Sequence, residues 1–381
     1  MKTIFVDLQY SAISNGKFLV LSDSNFDVNF SFFKHLTKDF RIIFTLPDDR
    51  DIFDSKSVIE KLNCAEIKPV FIERQLIPFN ERFNINLKGY EEAISVANPD
   101  VLYCNNPSTV AQLKLFAPKA KIITYNHWID SSLYPKDPNL QRKMSYNIRQ
   151  CEGHLLSDYV FLNSNFAARM LIQALQENFN ERMMDDVDEK IFIFPPTDVF
   201  EPIEKLPLKK YDSNIIVFNH RLSSFSYYQQ NFEDCFSVIQ SLSADYHLAC
   251  TDSSGKGIPK SADFTTYLGT LSDENLNKAL WESSVHLSLF RFGNGGMWSI
   301  SIMRAIKNLN AIILPNHSGY KEMVPPNYPG LVENTDMAID VLKAFKNLDF
   351  RKTCAMTCYE WFRKTYDMSI YIECFKKLLN E

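Results

Sequence analysis

Three glycines lie between a buried strand and a helix near the middle of the second half of the chain. An apolar run ends at Phe290, and Gly293, Gly295 and Gly296 follow before helical periodicity begins near Met297. Glycines let the backbone approach a ligand closely, and the amides at the start of a helix attract an anion. The order of these residues predicts a phosphate-binding loop that uses the amides of Gly295, Gly296 and Met297. An ordinary strand-to-helix turn that needs glycine geometry is the alternative.

A second candidate segment comes at the end of the strand predicted over residues 214–219. Asn219, His220 and Arg221 follow one another there. A planar guanidinium suits an anionic ligand, so Arg221 is a candidate for binding a phosphate group, with Asn219 and His220 beside it. The alternatives are a surface ion pair for Arg221 and turn caps for the other two.

A third loop, Pro315–Tyr320, follows the next predicted strand and leads into a short helix that carries Glu322. Two loops of this kind on adjacent strands favour a nucleotide site, in which Tyr320 and Glu322 contact the base or the ribose. Glu322 has a second interpretation, as an acid that complements the dipole of its own helix.

The first half of the chain contains the candidate proton-transfer residues. His127 follows the strand predicted over Lys121–Tyr125, and Asp130 comes three residues later. Imidazole is suited to take a proton from an acceptor hydroxyl, and a nearby carboxylate can orient it or act as the base. A packed structural histidine is the alternative. Four neighbouring residues are candidates for binding a substrate: Asn126, Trp128, Arg142 and Lys143.

Short apolar runs alternate with amphipathic stretches in both halves, which predicts two doubly wound parallel sheets. The predicted strands include Thr3–Leu8, Arg41–Leu46, Lys68–Ile72, Val101–Cys104, Lys121–Tyr125, Tyr159–Asn163, Tyr246–Thr251, Val285–Phe290 and Ala311–Pro315. A proline-rich stretch interrupts the pattern. The expected organisation is one α/β domain over 1–196, a linker over 197–213, a second α/β domain over 214–350, and helices over 351–381 that cross back to the first domain. Since ligands bind beyond the carboxyl ends of parallel strands, both domains are expected to face one cleft.

Composition excludes several classes of protein. The net charge of −5 argues against a general electrostatic nucleic-acid binder, although 41 Lys and Arg leave room for a local basic groove. No apolar run is long enough for a transmembrane helix, and the early Asp7 indicates a first strand instead of a signal peptide. The eight cysteines are expected to be reduced and lack recognised metal spacing. A cytoplasmic protein without a metal or a membrane partner is therefore expected.

Several of these segments resemble a known family. The layout of MRAIKNLNAIILPNHSGYKEMV is similar to the glycine loop, helix, strand and Gly-x-x-Glu loop of nucleotide-sugar glycosyltransferases of the GT-B fold, family four in particular. Asn219-His220-Arg221, Leu314-Pro315-Asn316 and Tyr320-Lys321-Glu322 resemble motifs of the enzymes that add a sugar to queuosine in transfer RNA. TYNHWIDSSLYP and VFLNSNFAARMLIQAL resemble segments of their first domain, so the likeness covers roughly residues 120–330.

The resemblance implies a GT-B fold of two Rossmann-like domains and a retaining transfer from a UDP- or GDP-sugar, with no cofactor. It implies that residues 1–196 form the acceptor domain, with Asn126, Trp128, Arg142 and Lys143 as acceptor contacts, and that residues 214–350 form the nucleotide-sugar domain. It also implies that Arg221 is catalytic by stabilising the leaving diphosphate, and that Asn219 and His220 contact sugar or phosphate.

The resemblance further implies a hydroxyl on a modified nucleobase as the acceptor, either a hydroxymethylpyrimidine in DNA, as in phage enzymes of this fold, or queuosine in transfer RNA. A phage-encoded enzyme would act in the host cytoplasm. Gly296 and Arg304 stand where family four has two glutamates. Three alternatives follow: a transferase for small molecules or surface glycans, an inactive nucleotide-binding module, and a sugar epimerase of the same fold.

Overall fold

The protein divides into two compact units in a computed structural model. The described residues are 1–8, 24–48, 55–73, 86–126, 140–179, 187–203, 208–220, 222, 226–252, 261–291 and 298–380, with only the backbone described at 24, 140–147, 178, 208, 226 and 227. Unit 1 consists of Met1–Pro195 and Ile372–Glu381, and unit 2 consists of Pro196–Tyr371. Two successive units of this kind match the two α/β halves expected from the alternating pattern.

The described part of unit 1 contains a seven-stranded sheet in which every pairing is parallel. Its spatial order is β3-β2-β1-β4-β5-β6-β7. The strands are β1 (Thr3–Asp7), β2 (Arg41–Pro47), β3 (Lys68–Ile72), β4 (Val101–Cys104), β5 (Lys121–Asn126), β6 (Tyr159–Leu162) and β7 (Ile191–Ile193). The helices are α1 (Ser24–Phe33), α2 (Ser55–Cys64), α3 (Leu87–Ala97), α4 (Val110–Phe116), α5 (Leu140–Leu155) and α6 (Asn165–Asn178).

The described part of unit 2 contains a six-stranded parallel sheet, in the order β10-β9-β8-β11-β12-β13. The strands are β8 (Ile215–Phe218), β9 (His247–Thr251), β10 (Thr265–Gly269), β11 (Val285–Leu287), β12 (Ala311–Pro315) and β13 (Leu331–Val332). The helices are α7 (Ser226–Ser241), α8 (Asp273–Glu282), α9 (Ile300–Lys307), α10 (Thr335–Ala344) and α11 (Leu348–Thr365). A last helix, α12 (Met368–Asn380), begins in unit 2 and ends in unit 1.

The central strands are buried on both faces, which explains why they appear in the sequence as short continuous apolar runs. Every residue of β1 and of β12 is buried. In unit 1 the ring of Phe375 packs against Phe32 at 5.3 Å, against Phe33 at 5.9 Å and against Phe161 at 6.0 Å between ring centroids. Phe161 also stacks on Phe194 at 4.6 Å. This cluster of large rings forms much of the core of unit 1 around β6.

The segment that enters unit 2 is held by the turn between α11 and α12. Phe200 N donates to the Asp367 carboxylate at 2.7 Å, Met368 N donates to Asp198 O at 3.2 Å, and the Thr197 hydroxyl donates to Tyr366 O. The Trp298 indole N–H donates to Pro196 O at 2.8 Å. These bonds fix the path of residues 196–200, where the proline-rich sequence predicted a linker without regular structure.

Two local predictions are wrong in detail. The helix expected from Met297 begins at Ile300, because Ser299 is extended (φ −129°, ψ 118°) and its hydroxyl accepts from Ile302 N as an N-cap. The helix expected to carry Glu322 is a single 3-10 turn, Tyr320–Met323. No helix within the described ranges has both the length and the apolar character needed to cross a membrane.

Candidate functional site

The carboxyl ends of the parallel strands in unit 2 bring several predicted residues to one edge of the sheet. Asn219 and His220 follow β8, and the turn containing Tyr320 follows β12. Between these two strands lies β11, which pairs with both. The sheet order therefore places the Asn219-His220 step and the strand preceding the glycines side by side, as expected for ligand loops of an open α/β sheet.

Asn219 links the loop after β8 to the first turn of α9. Its side-chain amide donates to Ser301 O at 3.0 Å, and the Ser301 hydroxyl donates to Asn219 O at 2.9 Å. A carbonyl can only accept, so this contact fixes which way the Asn219 amide points. The start of α9, with its positive dipole end, is thus tied to the Asn219-His220 step.

His220 lies in a buried aromatic environment at the same edge. It is 4% exposed, and its ring centroid is 5.1 Å from that of Phe290, 5.3 Å from that of Phe218 and 5.5 Å from that of His286. Burial, with a smaller contribution from His286, lowers the pKa of His220 well below its ordinary value. Burial also lowers the pKa of His286 to about 3, although the Val217 backbone acts in the opposite direction. Both imidazoles are therefore neutral near pH 7.

Tyr320 is buried, whereas Glu322 is partly exposed. Tyr320 is 4% exposed and its ring stacks on Phe290, with centroids 5.5 Å apart and planes at 9°. One ring face is therefore covered by protein, which limits stacking on a base to the other face. Glu322 is half-buried, and its backbone carbonyl accepts from the Tyr366 hydroxyl at 2.9 Å.

Asp252 holds Leu222, the residue that follows Arg221 in the chain. Asp252 follows β9, is fully buried, and accepts from Leu222 N at 3.1 Å. The residues on both sides of Arg221 are thus anchored, His220 by burial and Leu222 by this bond. Arg304, at the position of a family-four glutamate, pairs with Asp273 of α8 at 3.1 Å.

In unit 1, the carboxyl end of β5 carries Asn126, which is 4% exposed. His154 of α5 lies beneath it: Nδ1 is 2.9 Å from Thr124 Oγ1, and Nε2 is 3.4 Å from Asn126 Nδ2. Because an amide nitrogen can only donate, Nε2 is the acceptor and Nδ1 carries the proton. Gly153 makes this close packing feasible, since a Cβ there would lie 1.8 Å from Pro107 O.

The stability of unit 1 is expected to depend on pH because His154 is buried. Burial lowers its pKa to about 3, whereas the unfolded chain protonates it near 6.5. Between those values the unfolded form binds a proton that the folded form does not, so stability falls as pH falls. The stability advantage of the native protein over His154→Gln should shrink by about 2 kcal/mol from pH 7.5 to pH 5. Hydrogen exchange of β5 amides measures the opening free energy, and a pH-independent difference would contradict the prediction.

A second polar group in unit 1 lies at the end of β1. Asp7 is 1% exposed and accepts from the Tyr90 hydroxyl, while the Thr109 hydroxyl is 3.4 Å from its other oxygen. Burial first, and then the Asp7 charge, raise the pKa values of Tyr90 and Cys104. Both groups are therefore neutral at ordinary pH, and Asp7 is held in a hydrogen-bonded position.

The remaining predicted residues are not placed by the structure. Outside the described residues lie His127, Trp128, Asp130, Arg221, Gly295, Gly296 and Met297. Arg142 and Lys143 belong to α5, for which the structure describes only the backbone at these positions. Their roles stay predictions. Within the described ranges no group of three or more His, Cys, Asp or Glu side chains is arranged to hold a metal ion.

Sequence reasoning missed three polar residues at these edges: His154, His286 and Ser288. A polar residue inside an apolar strand, as in VHLSLF, is the signal that could have identified His286 and Ser288. His154 had no such signal, because it lies on an amphipathic helix where polar residues are common.

Comparison with known proteins defines the fold class. No family model and no curated protein sequence matches the chain. Sucrose-phosphate synthase from Thermosynechococcus elongatus matches with a TM-score of 0.73 and 11% identity over 100% of this chain and 98% of that one. HepE from Anabaena, solved with UDP-glucose, matches with a TM-score of 0.68 and 11% identity over 100% of both chains. A putative UDP-N-acetylglucosamine 2-epimerase from Listeria monocytogenes matches at 0.53 and 13% over 93% and 91%.

These likenesses show that the chain has the GT-B fold, with two parallel α/β units. The fold class predicted from the sequence is confirmed. At such low identity the matches show the fold alone. The three structures include no enzyme of transfer RNA or DNA modification, so that part of the resemblance stays a prediction.

Proposed function

We propose that the protein is a glycosyltransferase that binds a UDP- or GDP-sugar at the carboxyl edge of the unit 2 sheet. The observation that carries the proposal is the full-length match to HepE, solved with UDP-glucose, together with the polar residues at that edge. Parallel sheets bind ligands at this edge, and the start of α9 offers a positive dipole end to a diphosphate.

The chemistry proposed for the donor is departure of the nucleoside diphosphate from the sugar carbon. Arg221 and the start of α9 stabilise the charge that develops on the diphosphate, with the amides of Gly295, Gly296 and Met297 as further donors. Asn219 and His220 orient sugar or phosphate, and Tyr320 and Glu322 contact the nucleoside. The transfer retains configuration, with the departing diphosphate accepting the proton of the acceptor hydroxyl.

Unit 1 is proposed to bind the acceptor. Asn126, Trp128, Arg142 and Lys143 contact it, and His127 with Asp130 orients its hydroxyl so that the proton passes to the departing diphosphate. The proposed acceptor is a hydroxyl on a modified nucleobase, with DNA ahead of transfer RNA. A base inside a duplex would have to be flipped out to react. A small-molecule or glycan hydroxyl is the competing acceptor.

One assay tests donor and acceptor together. The protein is incubated with UDP- and GDP-sugars and with either hydroxymethylcytosine DNA or queuosine-containing transfer RNA. The nucleic acid is then digested, and the masses of its nucleosides are measured by mass spectrometry. A gain of one pentose or hexose supports the nucleobase acceptor. Release of nucleoside diphosphate without that gain supports a small-molecule or glycan acceptor.

Two other results would reject the transferase. An isomerised donor sugar that stays attached to its nucleotide would identify an epimerase. The lower TM-score of the epimerase, 0.53 against 0.73 for sucrose-phosphate synthase, makes this the second candidate. An unchanged donor pool with every acceptor would favour the inactive nucleotide-binding module.

A further inference from the structure

Unpartnered buried polar atoms are concentrated around β8 and β11. Nine buried side-chain nitrogen and oxygen atoms of the described residues have no hydrogen-bond partner, and six of them lie in this part of unit 2. They are Asn219 Oδ1, His220 Nε2, Asn231 Nδ2, Ser288 Oγ and the two ring nitrogens of His286, one of which has the Val217 backbone as a neighbour without the geometry of a hydrogen bond. Leaving so many polar atoms unpaired would consume a large share of the marginal stability of a domain. Such atoms are normally bridged by internal water, which forms about three hydrogen bonds per molecule.

Flipping the side-chain amides of Asn219 and Asn231 does not give these unpaired atoms a partner. Asn219 is fixed by the Ser301 carbonyl, which leaves its oxygen as the atom in need of a donor. Asn231 accepts from Leu289 N at 2.6 Å, which leaves its nitrogen as the atom in need of an acceptor. The surrounding contacts therefore define a real set of donors and acceptors.

His286 is the polar ring next to His220. Their centroids are 5.5 Å apart with planes at 56°, whereas the other rings around His220 are those of Phe218 and Phe290. Ser288 comes two residues after His286, so the two side chains leave the strand on the same face. Ser288 N continues the ladder by donating to Ile313 O at 3.0 Å, which keeps the strand geometry through this residue.

We infer that His286 is a positioning residue for nucleotide-sugar binding: with Ser288 and bridging water it hydrogen-bonds His220 and fixes the tautomer and orientation of that ring. A neutral imidazole has one donor and one acceptor nitrogen, so a hydrogen-bond partner selects which nitrogen carries the proton. The effect on nucleotide affinity rests on the proposed function, whereas the effect on the His220 ring does not.

The 15N NMR signals of the histidine rings report directly on this hydrogen-bond network. The chain has seven histidines, so 15N-histidine labelling gives a small set of ring signals, and His220→Gln identifies those of His220. His286→Phe keeps an aromatic ring and removes both nitrogens. In this variant the His220 signals should change from one tautomer to an average of two, and the Kd for UDP or GDP should rise about tenfold, the loss of roughly one hydrogen bond.

His247→Phe is the matched control. His247 is the first residue of β9, so it lies at the amino end of the parallel strands, away from His220 at their carboxyl end. Its Nε2 is 2.7 Å from Thr266 Oγ1. This variant should leave the His220 signals and the Kd unchanged. His286→Gln restores a donor and an acceptor and should recover the native pattern at least in part.

If His286→Phe does not fold, Ser288→Ala tests the same network, because it deletes one hydroxyl and should also perturb the His220 signals. The network would be overturned if the His220 signals were unchanged in folded His286→Phe. If that variant does not fold, unchanged His220 signals in Ser288→Ala would overturn it. Changed signals with unchanged nucleotide affinity would overturn the positioning role. Failure of the native protein to bind UDP or GDP would instead count against the proposed function, since the ring signals need no ligand.

Discussion

Replacing Arg351 by methionine is expected to lower the free energy of unfolding of unit 2 by about 3–5 kcal/mol, because several buried hydrogen bonds from a charged donor are lost, at about 1.5–3 kcal/mol each. Arg351 is 1% exposed and donates to Phe345 O at 2.7 Å, Ser213 O at 2.8 Å and Tyr211 O at 2.9 Å. The variant would leave the buried Phe345 and Tyr211 carbonyls without this donor, whereas the Ser213 carbonyl keeps the hydrogen bond from the Ser284 hydroxyl. Methionine keeps much of the apolar stem, so the loss measures the hydrogen bonds more than the packing.

Urea unfolding followed by tryptophan fluorescence measures this effect. Three of the four tryptophans, Trp281, Trp298 and Trp361, belong to unit 2. Arg363→Met is the control on the same helix, because Arg363 pairs only with Glu360 at the surface among the contacts described, at 2.8 Å. The control should unfold like the native protein. A loss below about 1 kcal/mol for Arg351→Met, the range of an ordinary hydrogen bond, would contradict the prediction.

Replacing Arg221 by alanine is expected to reduce kcat/KM for sugar transfer by a factor of about 100 or more, the usual result of removing one group that stabilises developing charge. The anchored neighbours support this expectation. His220 is buried before it, and Leu222 after it donates to Asp252, so the residues on either side of Arg221 lie at the proposed donor site.

Steady-state rates of nucleoside diphosphate release measure the Arg221 effect. Arg221→Lys keeps the charge but loses the bidentate geometry, so it should fall between alanine and the native protein. Arg363→Ala serves as the control for an arginine in a surface pair. Near-normal turnover of Arg221→Ala would remove Arg221 from the site.

The strands were the most predictable part of the fold. Lys68–Ile72, Val101–Cys104 and Ala311–Pro315 have the bounds that their apolar runs indicate. Val101–Cys104 and Ala311–Pro315 lie inside their sheets and are buried on both faces, so their ends coincide with the ends of the apolar run. Lys68–Ile72 is an edge strand in which only Ile72 is buried, so this reason does not apply to it. Helix starts were harder, since the start of α9 depends on the backbone conformation of Ser299 and not on periodicity.

The candidate site was predictable where its residues are neighbours in sequence, as for Asn219 and His220. His286 lies close to His220 because β11 pairs with β8, although β9 and β10 separate them along the chain. Strand order in space is set by packing of the whole sheet, and no local pattern encodes it. His154 beneath Asn126 depends in the same way on how α5 packs against unit 1.

The position of Phe375 has a consequence for biosynthesis. Its ring belongs to the core of unit 1, among Phe32, Phe33 and Phe161, yet the ribosome adds it only after all of unit 2, which ends at Tyr371. During translation unit 1 must therefore wait with an incomplete core while unit 2 is made. Nascent unit 1 exposes aromatic surface over that interval, and transiently exposed surface of this kind is prone to aggregation.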